Sequence, residues 1–345
     1  MCGILTILDT DASGPKAHTH AQRAETLLDR LSHRGPDGRG VAQVPGAWLG
    51  HRRLAIVDPT GGAQPFRDRG LAWVANGEIY NHADLRPRFG AAPSDSDCAV
   101  IAHVWRSLGE RTPGALDGPF AFVCVCETTG RWIAARDEIG INPLYLGRHA
   151  DGTLWFASEM KALIDDCDSV ELVEPGTLWT GGPGRATRLT RWHAPQWASR
   201  VPDAPADHAA LRHTLIESVR KRTMADVPWG VLISGGVDSS LIASIATRLA
   251  RARGAPPPHS FSIGLEGGPD LAPARRVAQF LGTRHHEFTF TIDEALNGTP
   301  TVLAHPESDH PLRTGVPTFP LPRPVRQPRS LSLAPLTAPA PHSLL

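Results

Sequence analysis

The chain has no excess charge of either sign. Its 35 basic residues equal its 35 acidic residues, so the formal net charge is zero, and the isoelectric point lies near 7.3. Binding of nucleic acid through an overall field needs a strong basic excess, and a solvating tail is typically acidic. The balance argues against nucleic acid as a partner and favours small molecules as substrates.

Long apolar runs and a secretory leader are also lacking. The longest apolar stretches, such as 120–126 and 231–233, fall well short of the ~20 residues that cross a bilayer. No basic segment precedes an apolar core at the N-terminus. The five cysteines are irregularly spaced and odd in number, which fits neither a disulfide framework nor a zinc motif. We therefore expect a reduced, cytoplasmic protein without a membrane partner.

The chain is long enough, at 345 residues, for two domains. Up to about residue 180, short apolar runs alternate with Gly, Pro, Asn and Asp, a pattern typical of antiparallel strands. Helical periodicity predicts helices over 21–31 and 96–108, and such a mixture favours an α+β layered domain. The predicted strands are 2–8, 48–49, 54–57, 71–75, 120–126, 132–134 and 154–157.

The second part of the chain has a different pattern. Residues 181–206 lack steady periodicity, so we expect a domain boundary there. Beyond it, strand and helix patterns alternate, which predicts a parallel α/β sheet. Residues 306–345 contain ten prolines, which makes regular structure implausible. The predicted strands are 229–233, 260–265 and 286–291, and the predicted helices are 208–222, 240–251 and 271–281.

A cysteine directly follows the initiator methionine. Removal of Met1 leaves a thiol and a free α-amine on Cys2, and that amine, with a pKa near ~7.7–8.0, can activate the sulfur as a base. Asn76 and Gly77 follow a predicted strand and can present an amide and a backbone N–H to an acyl-transfer intermediate. A plain Asn-Gly hairpin turn explains the same pair.

Two opposite charges accompany these residues. Arg53 can bind an α-carboxylate and Asp97 an α-ammonium, which together would hold an amino acid by both ends. Taken individually, each is better explained as a solvated surface charge, and Asp95 or Ser96 as a helix cap.

A segment rich in serine and glycine, Ser234 to Ser240, lies between a predicted strand and a predicted helix. Glycines let the backbone approach an anion, hydroxyls donate to it, and the helix N-terminus adds its dipole. The lysine of a Walker A loop is missing. The segment therefore indicates a phosphate loop of another kind, with a capped helix start as the alternative. Asp238 can assist metal or pyrophosphate binding, or interact with the helix dipole.

Six ordered motifs in the first half resemble those of class II glutamine amidotransferases. They are Cys2-Gly3-Ile4, His33 to Gly38, Arg53 to Asp58, Asn76 to Asn81, Ser96-Asp97, and Arg136-Asp137 through Tyr145. The resemblance implies an Ntn-hydrolase αββα sandwich over 2–185. It also implies Cys2 as the nucleophile and Asn76 and Gly77 as oxyanion donors. The residues implied to bind glutamine are Arg53, Leu54, Ala55, Ile56, Val57, Asn76, Gly77, Glu78 and Asp97.

The serine-glycine segment resembles the pyrophosphate loop of ATP pyrophosphatases. A glutaminase followed by this loop resembles the glutamine-hydrolysing asparagine synthetases, particularly the bacterial type, over about 2–304. The resemblance implies activation of aspartate by ATP as β-aspartyl-AMP, release of pyrophosphate, and attack by ammonia with release of AMP. Mg²⁺ is expected as the counter-ion of the triphosphate. The residues implied to bind ATP are Leu232, Ser234, Gly235, Gly236, Asp238, Ser239, Ser240 and Ile263.

The match departs from the family in the second domain. A second segment of the family, Ser-Gly-Glu-Gly-Ser-Asp-Glu, is missing, so we expect a partial, incomplete synthetase domain over 206–304 and a disordered, proline-rich tail over 305–345. Two functions stay open: an amidotransferase ligase, and a glutaminase-only or inactive remnant that binds a partner. A relative that forms another acyl-amide bond is a third, against which Cys2 argues. The sequence does not decide whether the chain forms a homodimer.

Overall fold

The computed structural model describes residues 1–11, 16–90, 92–195, 205–269 and 271–305. The chain divides into two compact units, within 1–202 and 203–345. The proline-rich tail expected over 305–345 lies outside the described residues from position 306 onward. Among the described residues, no helix combines the length and the apolar character needed to span a bilayer.

The first unit contains two six-stranded antiparallel sheets. One consists of β1 (Gly3–Leu8), β2 (Gly38–Val44), β3 (Ala47–Arg53), β8 (Tyr145–Arg148), β9 (Leu154–Ala157) and β10 (Ser169–Leu172), in the order β10-β8-β9-β1-β3-β2. The other consists of β4 (Phe66–Asp68), β5 (Leu71–Gly77), β6 (Phe120–Cys126), β7 (Trp132–Arg136), β11 (Thr177–Gly182) and β12 (Arg185–Arg191), in the order β12-β11-β7-β6-β5-β4.

Helices cover the outer face of each sheet. The first sheet carries α1 (Lys16–Thr19) and α2 (Ala21–Asp29), and the second carries α3 (His82–Phe89) and α4 (Ile101–Leu108). Strand β1 is buried on both faces, because Ile4 and Leu8 pack between the sheets while Leu5 and Ile7 pack against α2. Three apolar cores therefore separate four layers, and the predicted αββα sandwich is confirmed. Short 3₁₀ turns occupy Asp97–Val100, Gly109–Arg111, Pro113–Ala115 and Met160–Ala162.

Several local predictions for this unit were wrong. Residues 54–57, predicted as a strand, form an irregular loop, because the Arg53 guanidinium donates to three carbonyls of 57–59 and turns the chain back. The helix predicted from position 96 begins as the 3₁₀ turn Asp97–Val100, and α4 follows at Ile101. Strand β12 lies inside the segment 181–206, where the lack of steady periodicity predicted a domain boundary and no strand was predicted.

The second unit is a three-stranded parallel sheet with helices. Strands β13 (Gly230–Leu232), β14 (His259–Leu265) and β15 (Arg284–Phe290) lie side by side in that order. The helices are α5 (His208–Arg222), α6 (Val237–Ala252), α7 (Leu271–Leu281) and α8 (Ile292–Ala304). The core joins Val219 of α5, Val231 of β13, Ala246 of α6 and Ala278 of α7. The predicted alternation of helices and parallel strands is confirmed.

Candidate functional site

The Cys2 thiol lies against the loop that follows β3. Gly3 at the start of β1 pairs with Arg52 near the end of β3, which brings Cys2 beside the residues after the strand. The Leu54 N–H donates to Cys2 Sγ at 3.4 Å, and Sγ lies 3.7 Å from the Leu54 carbonyl oxygen. The half-buried thiol thus has a backbone donor already aimed at it.

Opposing influences act on this thiol. Burial raises the pKa of Cys2, while the neighbouring N-terminal amine and the Leu54 N–H lower it. Burial also lowers the pKa of the Met1 α-amine in the unprocessed chain. Proton transfer from sulfur requires a neutral amine next to the thiol.

The loop after β3 is folded around the Arg53 side chain. Its guanidinium donates to the carbonyl oxygens of Asp58 at 2.5 Å, Pro59 at 2.9 Å and Val57 at 3.3 Å. Asp58 adopts a left-handed backbone with φ 49°, a conformation that a non-glycine residue rarely takes. The implied glutamine residues Leu54, Ala55, Ile56 and Val57 therefore form one loop beside Cys2.

A carboxylate ties this loop to the turn that contains Asp97. Asp58 Oδ1 accepts from the Gly61 N–H at 2.8 Å, and Oδ2 accepts from the Asp95 N–H at 3.0 Å. A Cβ on Gly62 would lie 2.5 Å from Arg53 Nη2 and 3.0 Å from the Cβ of Ser96. Arg53 and the 95–97 turn thus both approach Gly62 closely, so a larger side chain there would displace them.

Asp97 is buried, which excludes the solvated charge considered as its alternative. Its Oδ2 accepts from the Ile79 N–H at 2.7 Å. Burial raises the pKa of this carboxyl, and the hydrogen bond from Ile79 opposes that shift. The negative charge of Asp97 is also felt by Cys2, whose pKa it raises. Ser96 stands before the 3₁₀ turn but makes no side-chain capping bond.

Asn76 and Gly77 end β5 and do not form a hairpin turn. They pair with Ala121 and Phe120 of β6, so the hairpin interpretation was wrong. A Cβ on Gly77 would lie 2.3 Å from the Pro119 carbonyl oxygen, and only glycine fits at this close approach. Glu78 continues the contact through its N–H, which donates to the same oxygen at 2.9 Å.

A buried residue that sequence reasoning missed holds the Asn76 amide. Asn76 Nδ2 donates to Asn142 Oδ1 at 3.2 Å, and both side chains are buried. The backbone of Asn142 is clamped, because its N–H donates to Asp137 Oδ2 at 3.0 Å and its carbonyl accepts from Arg136 Nε at 2.8 Å. Asn142 lies in the motif from Arg136 to Tyr145, so the sequence contained a signal for it. Its hydrogen-bond partner, Asn76, lies 66 positions away in the chain.

A charged network borders Cys2 on another side. The Cys2 carbonyl accepts from Arg34 Nε at 2.8 Å, and Arg34 Nη1 donates to Glu159 Oε1 at 3.0 Å. His33 Nε2 lies 2.9 Å from the same oxygen. Although burial opposes ionisation, the contacts with His33, Arg34 and Lys161 lower the pKa of Glu159 to about 2. The carboxylate is therefore charged at neutral pH and anchors Arg34 against the backbone of Cys2.

In the second unit, the serine-glycine segment connects β13 to the start of α6. Gly235 has φ 80°, and a Cβ there would lie 2.5 Å from the Cβ of Pro273, so the position requires glycine. Ser239 Oγ contacts Ser234 Oγ at 2.9 Å, and Ser240 Oγ donates to the Gly236 carbonyl at 2.6 Å. The hydroxyls thus fix the loop at the N-terminus of a 16-residue helix.

Three further residues implied to bind ATP surround this loop. Asp238 is exposed in the first turn of α6. Leu232 ends β13 and pairs with Phe261 of β14, two positions before Ile263. Both aliphatic side chains are half-buried. The parallel strands therefore place Leu232 and Ile263 near the carboxyl ends of neighbouring strands, as a site at that edge requires.

Comparisons with known proteins agree with the division of the chain into two units. Residues 1–179 match the family model of a glutamine amidotransferase domain, and residues 210–330 match that of asparagine synthase. Asparagine synthetase 1 (glutamine-hydrolysing) of Lotus japonicus is 45% identical over 320 residues, which are 89% of this chain and 53% of that protein. Asparagine synthetase 3 (glutamine-hydrolysing) of Arabidopsis thaliana is 46% identical, with 89% and 54% covered.

The chain thus spans about half the length of the curated relatives it matches. Among solved structures, a glutamine phosphoribosylpyrophosphate amidotransferase from B. subtilis, complexed with ADP and GMP, is similar with a TM-score of 0.45. It is 19% identical, over 84% of this chain and 81% of that one.

Proposed function

The chain belongs to the glutamine amidotransferase family, and we propose that its first unit hydrolyses glutamine to glutamate and ammonia. One observation carries the proposal: Cys2 Sγ accepts a hydrogen bond from the Leu54 N–H at 3.4 Å. Leu54 belongs to the loop whose carbonyls are bound by the Arg53 guanidinium. We propose a domain of residues 2–185 for this activity.

Cys2 serves as the nucleophile in this proposal. After Met1 is removed, the α-amine on Cys2 takes the thiol proton, and the thiolate attacks the side-chain amide carbon of glutamine. The Cys2 α-ammonium returns the proton to the amide nitrogen, the carbon–nitrogen bond breaks, ammonia leaves, and a thioester remains on Cys2. Water then attacks the thioester and releases glutamate. The Leu54 N–H, already directed at Sγ, supports the thiolate.

Asn76 and Gly77 stabilise the oxyanion that forms during both attacks. The Asn76 amide and the Gly77 N–H donate to it, and loss of one such donor typically lowers kcat by about 10²–10³-fold. Asn142 keeps the Asn76 amide oriented, because its Oδ1 occupies one of the two N–H groups of Nδ2. Asn142 acts through Asn76 and is therefore a positioning residue.

Arg53 and Asp97 hold the two charged ends of glutamine. The guanidinium carries five N–H donors, and its contacts with the loop carbonyls come from Nη1 and Nη2, so Nε stays available for the carboxylate. Asp97 offers a buried carboxylate for the ammonium group. The backbone from Leu54 to Val57, together with Glu78, lines the pocket.

The second unit binds ATP in this proposal, within a domain of residues 206–304. Gly235 and Gly236 let the backbone approach the phosphates, the start of α6 contributes its dipole, and the loop hydroxyls Ser234, Ser239 and Ser240 donate to them. The adenosine rests on Leu232 and Ile263. Mg²⁺ enters with the triphosphate, and the exposed carboxylate of Asp238 is the hard oxygen ligand that this ion prefers.

The whole chain then carries out glutamine-dependent asparagine synthesis. The β-carboxylate of aspartate attacks ATP, pyrophosphate leaves, and ammonia displaces AMP from β-aspartyl-AMP to give asparagine. The names of the curated relatives and the match to asparagine synthase over 210–330 support this proposal. The five free cysteines fit a reducing, cytoplasmic compartment. We also propose that the chain forms a homodimer.

One assay separates the two activities. The purified chain is supplied with glutamine, aspartate and Mg-ATP while glutamate, pyrophosphate and asparagine are followed separately. We expect all three products, and Cys2→Ala should abolish glutamine-supported asparagine while ammonia still supports it. Glutamate without asparagine would reject the synthetase proposal and keep the glutaminase. Undiminished glutamate release by Cys2→Ala would reject the nucleophile.

A further inference from the structure

Two histidines and an aspartate converge in the first unit. His20 joins α1 to α2, and His149 and Asp151 lie in the turn between β8 and β9. His20 Nε2 lies 2.7 Å from Asp151 Oδ2, and His149 Nδ1 lies 2.9 Å from Asp151 Oδ1. One ligand atom from each residue falls within 4.8 Å of the others, and all three side chains are half-buried.

We propose that His20, His149 and Asp151 bind a divalent transition-metal cation of the Zn²⁺ class. Imidazole nitrogens with a carboxylate oxygen are a donor set that Zn²⁺ accepts, and three protein ligands leave a fourth position for water. With bonds of about 2.0–2.1 Å, a tetrahedral ion holds its ligands roughly 3.3 Å apart. The contacts of 2.7 and 2.9 Å go to different oxygens of Asp151, and the three ligand atoms, which lie within 4.8 Å of one another, would adjust to that separation around the ion.

The aspartate is already oriented by its neighbours. Asp151 Oδ1 accepts from Thr153 Oγ1 at 2.7 Å and from the Thr153 N–H at 2.9 Å. The Asp151 N–H donates to His149 Nδ1 at 3.2 Å, so this nitrogen faces into the turn and exchanges that hydrogen bond for the ion when metal binds. The hydrogen bonds from Thr153 are of the outer kind that fixes a metal ligand before the ion arrives. They also hold the Asp151 pKa below its usual range, against the effect of burial.

An aromatic side chain orients both imidazoles. The His149 ring stacks on Trp155 at 5.5 Å between centroids with 10° between the planes, and the His20 ring meets the same indole at 5.2 Å. The two imidazoles lie 4.6 Å apart at 67°. Because Trp155 is fully buried, the rings rest on a rigid wall with their nitrogens toward Asp151.

One cation lies close to this cluster. Lys16 Nζ donates to the Asp151 carbonyl at 2.9 Å and to Asp11 Oδ2 at 2.8 Å. It contacts the backbone of Asp151 and is paired by the Asp11 carboxylate, which offsets its charge. Lys16 thus does not occupy the side-chain oxygens of Asp151, which face the two imidazoles and Thr153.

The cluster is separate from the Cys2 site. Leu8, at the far end of β1 from Cys2, pairs with Leu154 directly after the turn that carries Asp151. At 3.2–3.4 Å per residue, the six steps from Cys2 to Leu8 span roughly 20 Å. The metal proposal therefore stands independently of the proposed glutaminase.

The test is metal binding by the full chain after removal of metal with a chelator. Zn²⁺ titration calorimetry should give one equivalent bound, and Co²⁺ should give an absorption spectrum without thiolate-to-metal charge transfer. Loss of outer partners costs about 10–100-fold in metal affinity. We expect Thr153→Val to weaken Zn²⁺ affinity by about 10–100-fold. His149→Ala and the nearly isosteric Asp151→Asn should each weaken it by at least about tenfold.

Matched controls locate the site. His213→Ala removes an exposed histidine of α5, and His286→Ala breaks the second close histidine pair, with His259; both should leave Zn²⁺ affinity unchanged. Zn²⁺ should also raise the Tm of the wild type but not that of Asp151→Asn. The proposal would be overturned by absence of Zn²⁺ binding, by wild-type Zn²⁺ affinity in both His149→Ala and Asp151→Asn, or by a Co²⁺–thiolate spectrum.

Discussion

At the scale of single residues, Asn142 is the one that most changes the description of the site. It lies within the motif from Arg136 to Tyr145 but is not among the implied site residues, yet its Oδ1 holds the amide of Asn76 at 3.2 Å. Asp137 and Arg136 fix its backbone from both sides. The orientation of a proposed oxyanion donor therefore depends on a residue from another loop.

Replacing Asn142 by leucine should lower glutaminase kcat by roughly fivefold to tenfold with little change in KM. A net hydrogen bond contributes about 1 kcal/mol, and here it acts on the group that binds the oxyanion. A double-mutant cycle with Asn76→Ala measures this coupling. In the Asn76→Ala background, Asn142→Leu should have no further effect on kcat; an additive loss would show that Asn142 acts elsewhere.

The cysteines should differ in reactivity. Burial raises the pKa of Cys98 and Cys124 well above the usual value, and that of Cys167 to about 12. Cys126 is the exception, because hydrogen bonds with Thr128 and Thr129 outweigh burial and lower its pKa to about 7. Iodoacetamide at pH 7 should therefore label Cys126 faster than Cys167, as peptide mass mapping would measure. Equal rates would contradict the assigned pKa values.

Buried His51 makes stability depend on pH. Burial lowers its pKa from 6.5 to about 3, so below pH 6.5 the unfolded chain takes up a proton that the folded chain refuses. Stability conferred by neutral His51 is thus lost as pH falls from 6.5 to 3, by up to about 1.4 kcal/mol per pH unit. Urea unfolding of His51→Gln should show a shallower decline over this window; an unchanged slope would contradict the assignment.

At the scale of elements, the sequence predicted the layers better than the loops. Strands such as β6 and β9, and helices such as α5 and α7, agree with their apolar periodicity. The 54–57 segment has the composition of a strand, but the contacts of Arg53 with the carbonyls of 57–59 and the long-range contact of Cys2 with Leu54 decide its conformation. No periodicity in 54–57 encodes those contacts.

Helix α8 was missed for a different reason. Gly298 and Pro300 interrupt its pattern, although Thr291 and Glu294 form a capping box at its start. In the candidate site, too, the sequence predicted some features and not others. Cys2, Asn76 and Asp97 stand in recognisable motifs, whereas the contacts that orient them join residues far apart in the chain.

The loop between β13 and α6 can be tested as an element. Gly235→Ala adds a Cβ 2.5 Å from Pro273 at φ 80°, whereas Gly254→Ala adds one at φ 69° with nothing within 4 Å. Both should lose about 1–2 kcal/mol to backbone strain. Only Gly235→Ala should also lower the affinity for Mg-ATP, measured by calorimetry. Equal ATP affinity in the two variants would contradict a nucleotide site at this loop.

At the scale of the whole molecule, two units bring different chemistry into one chain. The first offers a thiol, a backbone donor and two opposite charges around one loop, and the second offers a glycine-rich loop at a helix N-terminus. The order of the two matches agrees with this division. The account therefore depends first on the thiol, because the proposed release of ammonia takes place there.

Covalent labelling by an electrophilic glutamine analogue tests that claim most directly. The protein is incubated with the analogue, digested, and mapped by mass spectrometry. We predict an N-terminal peptide that begins at Cys2 and carries one adduct, whose formation excess glutamine suppresses and Asp97→Asn slows. Cys126, the thiol with the lowest assigned pKa, serves as the internal control. An adduct on Cys126 with Cys2 unmodified would contradict the account.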